Sequence, residues 1–320
     1  MGRPLLSIAI PVYNEDGNLE TLFTRLKTVL DDIDKSYEII FTNDGSNDNS
    51  LTLLRHFQKC NPGTVRIIDL NGNFGQHMAV MAAFEQVRGE IIVTLDADLQ
   101  NPPEEIPKLI SAIEKGHDLV GSYRKRREDN LFRCIASRLF NFLRDLATGI
   151  HMRDQGCMLR AYRRRIVDII VASGERSTFI PALAMSYATN PVEVEVDHEA
   201  RLTGKSRYRI YDLIRLNFDI MTGFSMAPLQ LVTMFGMLVA SGSLLFVVYL
   251  FIRRLIIGPE AEGVFTLFAI LYLLIGIGIF CLGVIGEYIG RIYQEVRHRP
   301  RFVIREVIET GCTATENGDE

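Results

Sequence analysis

Apolar and polar positions change period in a regular order along residues 5–122. Short apolar runs at 5–12, 37–42, 65–69, 91–95 and 118–122 have the length of buried strands. Between them, residues 18–30, 48–58, 76–87 and 103–115 read as helices. Strands alternating with helices predict an α/β fold with a mostly parallel sheet. The first run is too short for a signal peptide. It leads into Tyr13-Asn14-Glu15-Asp16 with no small-residue cleavage site, so it reads as a buried first strand.

Beyond this region one further segment has a helical period. Residues 131–146 place Leu131, Ile135, Leu139, Phe142, Leu143 and Leu146 at spacings of three and four. Arg124, Arg126, Arg127, Arg133 and Arg138 surround that stripe. Such a basic amphipathic helix lies in a membrane interface or packs on the sheet; the pattern leaves both open. Residues 229–252 and 264–286 then carry no charge at all, and each exceeds the ~20 residues needed to cross a bilayer. Gly258-Pro259 sits in the short connection between them, so the two spans form an antiparallel hairpin with both ends on one side. Arg201, Lys205, Arg207, Arg209 and Arg215 precede it, and Arg291, Arg297, Arg299, Arg301 and Arg305 follow it. These outnumber Arg253 and Arg254 in the connection, which places both ends in the cytoplasm. Gly276, Gly278, Gly283, Gly286 and Gly290 suit close helix packing or are ordinary membrane-helix glycines. Residues 310–320 are polar and acidic, the composition of a disordered tail.

Composition narrows the classes. The net charge of −4 argues against a nucleic-acid binder. Five cysteines without a CxxC pair argue against a disulfide framework or structural zinc, and for a reduced, cytoplasmic catalytic part.

Ligands of parallel sheets sit beyond the carboxyl ends of the strands, and three predicted strands end in polar clusters. Pro11-Val12-Tyr13-Asn14-Glu15 closes the first; Glu15 there accepts from a base or ribose, or the cluster is a helix-entry turn. Asn43-Asp44-Gly45-Ser46-Asn47-Asp48 follows the second. Asp44 suits a nucleobase N–H or ribose hydroxyl, and Asp48 suits a helix cap. Asp96-Ala97-Asp98-Leu99-Gln100 follows the fourth. Carboxylates at i and i+2 project to one side of an emerging strand. With the Gln100 amide oxygen they make a hard oxygen site for Mg²⁺ or Mn²⁺ shared with a diphosphate.

These three clusters resemble the signatures of family 2 glycosyltransferases of the GT-A fold. The C-terminal spans resemble those of polyprenyl-phosphate glycosyltransferases such as dolichol-phosphate mannose synthase. Three further stretches are similar to the undecaprenyl-phosphate 4-deoxy-4-formamido-L-arabinose transferases of lipid A modification. They are Asp154-Gln155-Gly156-Cys157-Met158-Leu159-Arg160-Ala161-Tyr162-Arg163-Arg164, Glu175-Arg176-Ser177-Thr178-Phe179-Ile180-Pro181 and Gly286-Glu287-Tyr288-Ile289-Gly290-Arg291-Ile292-Tyr293.

The resemblance implies a GT-A domain over 1–208 with a basic interfacial segment at 124–148. A juxtamembrane amphipathic helix at 209–228, the spans 229–252 and 264–286, and a cytoplasmic extension and tail at 287–320 would follow. It implies an inverting transfer of sugar from a UDP-sugar to undecaprenyl phosphate in a bacterial inner membrane, with no nucleic-acid partner. The sugar would be 4-deoxy-4-formamido-L-arabinose, with glucose, GlcNAc or mannose as alternatives. Metal ligands would be Asp96, Asp98 and Gln100, with Mg²⁺ or Mn²⁺ bound. Pro11, Tyr13, Glu15, Asp44, Asp96, Arg201 and Lys205 would hold the nucleotide-sugar, the last two on a loop that folds over the diphosphate. Arg124 and Arg138 would take the lipid phosphate. Asp98 and Asp154 are the catalytic candidates, Asp154 as a base, an acceptor-positioning residue or a structural hydrogen-bonder. Relatives also suggest a homo-oligomer, a tetramer. A processive polysaccharide synthase would need a Gln-x-x-Arg-Trp motif, and this chain has no tryptophan. A nucleotidyltransferase would need a glycine-rich loop where Pro11–Glu15 stands. A non-catalytic nucleotide-sugar-binding scaffold conflicts with the intact carboxylates and is separated by a turnover assay.

Overall fold

The computed structural model describes residues 4–124, 152–154, 156–175, 179–199, 222, 225–257, 264–297 and 300–309. The chain divides into two compact units.

The first unit carries a sheet of eight strands. Its elements in chain order are β1 (Leu6–Val12), α1 (Asp16–Asp32), β2 (Tyr37–Asn43), α2 (Ser50–Cys60), β3 (Val65–Leu70), α3 (Gln76–Gln86) and β4 (Ile91–Thr94). A 3₁₀ turn (Pro103–Glu105), α4 (Ile106–Glu114), β5 (Leu119–Arg124), β6 (Arg160–Arg163), α5 (Arg164–Ala172), α6 (Ile180–Tyr187) and β7 (Pro191–Val196) follow. The last strand is β8 (Ile304–Ile308). The strand order is β7-β5-β6-β4-β1-β2-β3-β8. Pairings are parallel except where β6 lies against β4 and β5, and β8 against β3. The expected α/β sheet with mostly parallel strands is therefore present, and its first five strands and four helices lie where the hydrophobic pattern put them.

The core follows from that pattern. β1 lies between β2 and β4, and Leu6, Ile8, Ile10 and Val12 are fully enclosed, as expected for a strand covered on both faces. Helix α1 buries Leu19, Leu22, Leu26 and Leu30, its apolar stripe at spacings of three and four. Phe23 of α1 stacks on Phe57 of α2 with ring centroids 4.4 Å apart, and both rings meet Phe41 of β2. The chain runs from β1 outward through β2 and β3, then returns to place β4 on the other side of β1. This reversal opens a crevice at the carboxyl ends of β1 and β4, the usual place for a ligand.

β8 is held at the opposite end of the sheet by a charge network that runs from a buried pair to the surface. Arg66 of β3 donates to Glu38 of β2 at 3.0 Å and to Glu309 at 2.8 Å. Arg88 also reaches Glu309 at 2.8 Å, and Ser7 of β1 donates to Glu38 at 2.6 Å.

The second unit contains two long helices, α7 (Ala227–Ile257) and α8 (Val264–Val296), which contain the two uncharged runs. Within them Ala227–Arg253 and Ile270–Gly290 are long and apolar enough to cross a membrane. Their large apolar side chains face outward, Leu238 and Leu255 among them. The Tyr288 hydroxyl near the end of α8 donates to the Ser225 carbonyl just before α7, at 2.9 Å. That contact makes the pair an antiparallel hairpin.

Candidate active site

The loops leaving β1 and β2 are sewn together. Pairing of β1 with β4 ends at Ala9↔Thr94, so Pro11 lies past it, where a missing N–H costs no bond to β4. Tyr13 is 46% exposed on the rim. Asn14 takes a left-handed conformation, with φ 55°, that asparagine tolerates better than most residues. Its amide donates to Ser46 Oγ at 3.1 Å, and its side-chain oxygen accepts from the Asn47 amide at 2.8 Å. The Glu15 amide donates to Ser50 Oγ, and the Glu15 carboxylate accepts from Asn18 Nδ2 at 2.6 Å.

Asp44 is almost fully enclosed and accepts from the backbone amides of Phe74 and Gly75, at 2.7 and 2.9 Å. Burial pushes its carboxyl above the usual range, against the pull of those two amides. Gly45 beside it has φ 68°, and a Cβ there would lie 2.6 Å from the Gly72 carbonyl carbon. Only glycine permits this approach of the two loops.

The turn after β4 holds the paired carboxylates. Leu99 adopts φ 60°, which curls Asp96–Gln100 back on itself. Asp98 accepts from the Gln100 amide at 3.1 Å. Asp96 accepts from Gln76 Nε2 at 2.5 Å and from Asn101 Nδ2 at 3.4 Å. Among the described residues no three His, Cys, Asp or Glu side chains gather closely enough to close a metal site. Asp96 and Asp98 place two carboxylates on one short turn, the hard oxygen type that a divalent ion would need.

Asp154 lies in the segment between β5 and β6, and it is buried. Its carboxylate accepts from Arg124 Nε at 2.6 Å and Arg124 Nη2 at 3.1 Å, and from the Gly156 amide at 3.0 Å. Fully buried Arg160 donates to the main-chain oxygens of Asp154 and Cys157, at 3.0 and 3.1 Å. Thr94 of β4 donates to the Met158 carbonyl at 2.6 Å. Cys157 Sγ lies 2.8 Å from Ser122 Oγ of β5 and 3.3 Å from Asn101 Oδ1. Burial pushes the Cys157 thiol up, which makes it an unreactive packing group. Asn101 thus links the Asp96 turn to the Asp154 segment.

The fold brings Asp96 to Gln100 together on one turn, pairs Arg124 directly with Asp154, and knits Pro11–Glu15 to Asp44–Ser50. Arg138, Arg201 and Lys205 lie outside the described residues. Sequence reasoning missed Gln76, Asn101, Arg160 and His198. Gln76 follows Asn73-Phe74-Gly75 after the third strand, a fourth polar strand-end cluster that the pattern offered. His198, just past β7, carried no signal. The next residue, Glu199, donates its amide to the Gln100 carbonyl at 3.0 Å, which ties this segment to the Asp98 turn. The His198 imidazole is held below the ordinary histidine range by partial burial and then by the Arg124 charge, while Asp98 and Asp154 pull the other way. One imidazole therefore senses both the Asp98 turn and the Arg124–Asp154 pair.

The model of glycosyl transferase family 2 matches residues 7–170, and that of the GtrB C-terminal hairpin matches residues 227–292. The undecaprenyl-phosphate 4-deoxy-4-formamido-L-arabinose transferase of Aeromonas hydrophila is 45% identical over 99% of this chain and 98% of its own length. The protein of the same name from Proteus mirabilis is 47% identical over 95% of this chain and 94% of its own. Among solved structures, glucosyl-3-phosphoglycerate synthase from Mycobacterium tuberculosis with Mn²⁺ and UDP-glucose is similar at a TM-score of 0.46 and 16% identity, over 68% of this chain and 77% of that one. It is too distant for its ligands to be read across. The residues matched in the first model include every strand-end carboxylate described above, and the second match covers the apolar hairpin: the chain belongs to glycosyl transferase family 2.

Proposed function

We propose that this protein transfers 4-deoxy-4-formamido-L-arabinose from its UDP-activated form to undecaprenyl phosphate at a bacterial inner membrane, with the catalytic domain in the cytoplasm. The observation that carries this reading is the near-full-length likeness to transferases of that name, across sheet and hairpin alike. A phosphate oxygen of the lipid attacks the anomeric carbon. The bond from that carbon to the donor diphosphate breaks, UDP departs and the configuration inverts. The acceptor phosphate has its second pKa near ~6 and is largely dianionic at neutral pH, so no strong base is required.

Each group has a task in this scheme. Asp96 and Asp98, with Gln100 beside them, would hold Mg²⁺ or Mn²⁺, which when bound neutralises charge on the departing diphosphate. Tyr13 offers its exposed ring to the base, and Pro11, Glu15 and Asp44 shape the nucleoside pocket. Asp44 does so in part through Phe74 and Gly75, whose amides it fixes. By resemblance, Arg201 and Lys205, outside the described residues, would take the donor phosphates. Arg124 and Arg138 receive the lipid phosphate, because a guanidinium matches phosphate oxygens two at a time.

The test incubates purified full-length protein with undecaprenyl phosphate and a panel of UDP-sugars, read by mass spectrometry of the lipid. Formamido-arabinosyl lipid as the dominant product is expected, with transfer stopped by EDTA. Preference for glucose, GlcNAc or mannose would reassign the sugar, and no product from any donor would overturn the reading. Undiminished transfer in EDTA would remove the metal.

A further inference from the structure

We infer that Asp154 is a positioning residue that works through Arg124, holding its guanidinium in the orientation that receives the acceptor phosphate, and is not the base of the reaction. The inference rests on the proposed transfer to undecaprenyl phosphate. A general base must present an oxygen to the proton it removes. The Asp154 carboxylate instead presents both oxygens to Arg124, as a two-pronged pair at 2.6 and 3.1 Å, with the Gly156 amide on one of them at 3.0 Å. The acceptor is largely ionised at neutral pH and offers little for a base to do.

The surroundings are built to keep the carboxylate still. Its own main-chain oxygen is tied to Arg160, the Cys157 oxygen to the same guanidinium, and the Met158 oxygen to Thr94 of the sheet. Gly156 completes the device: a Cβ there would lie 2.9 Å from Arg124 Nη2, so a larger residue would push the guanidinium from its place. Arginine loses much rotamer entropy when it binds. An anchoring carboxylate settles that cost before the substrate arrives. The two bonds to Asp154 come from Nε and Nη2, one side of the fork. Asn101 bonds both Asp96 and the Cys157 thiol, which puts the Asp154 segment beside the turn assigned to the donor diphosphate. Arg124 ends β5 and leads directly into the arginine-rich segment 125–138.

The test is a double-mutant cycle on the full-length protein: wild type, Asp154→Asn, Arg124→Ala and both together, with UDP binding measured on each to show an intact fold. In each single variant the KM for undecaprenyl phosphate should rise about tenfold or more while kcat changes little. The double variant should be no worse than Arg124→Ala, because Asp154 has nothing left to position. Losses that multiply, a collapse of kcat in Asp154→Asn at unchanged KM, or a KM that falls would each overturn the inference while leaving the transfer reaction standing. A wild type that transfers nothing to undecaprenyl phosphate would remove the functional reading and this inference together. Should Asp154→Asn lose UDP binding, Gly156→Ala asks the same question from the other side. It displaces the guanidinium and leaves the carboxylate, so the same rise in KM is expected and an unchanged KM would overturn the proposal.

Discussion

Asp96 and Asp98 stand two residues apart, yet the fold treats them differently. Asp96 receives amides from two other segments, Gln76 at the head of α3 and Asn101 before the 3₁₀ turn, whereas Asp98 receives the Gln100 amide of its own turn. A carboxylate that must help hold a metal gains from outside partners that fix its direction. Gln76→Leu should therefore lower transfer or metal affinity by about 10-fold to 100-fold while UDP binding without metal changes little. A metal titration of the initial rate checks this; a wild-type titration curve would leave Gln76 with no part in the site. At this scale the carboxylates themselves were legible, because acidic pairs at the end of an apolar strand are uncommon by chance. Their supports were not. Gln76, Asn101 and His198 are ordinary polar residues in sequence, and only the folding of distant segments against the β4 turn distinguishes them.

Single elements show a similar division. Strands β1 to β5 and helices α1 to α4 follow from periodicity, since each buries a continuous apolar face. β8 does not. Its sequence Ile-Arg-Glu-Val-Ile is short, with two charged residues in five, and an edge strand with such a pattern resembles exposed linker until a partner is known. The partner is β3, and the bond is reinforced by Glu309 between Arg66 and Arg88. Arg66 and Glu38 are both nearly excluded from water, at 8% and 5% side-chain exposure. Removing one member of such a pair leaves a buried charge alone, so Arg66→Met should cost about 3–5 kcal/mol. Thermal unfolding in detergent reads the loss, and adding Glu38→Gln should restore part of it. A single variant as stable as wild type would mean that the network does not hold the strand.

For the whole molecule, the main consequence concerns the membrane hairpin. β7 precedes it and β8 follows it, yet both belong to one sheet. A sheet cannot be shared across a bilayer, so both flanks of the hairpin lie on the same side. The proposed orientation, drawn from the arginine counts, makes that side the cytoplasm. Alkaline phosphatase fused to the C-terminus should accordingly be inactive, and green fluorescent protein fused there should fluoresce. An active phosphatase fusion would invert the orientation. The amino-acid sequence by itself determined the α/β alternation, the three strand-end clusters and the two spans, because each is a local pattern with one low-energy way to bury its apolar groups. Tertiary structure alone decided that Arg124 pairs with Asp154, that the segment after β7 meets the Gln100 turn, and that Ile304–Ile308 returns to the sheet. Those are pairings between residues far apart in sequence, and no local periodicity encodes which polar group meets which.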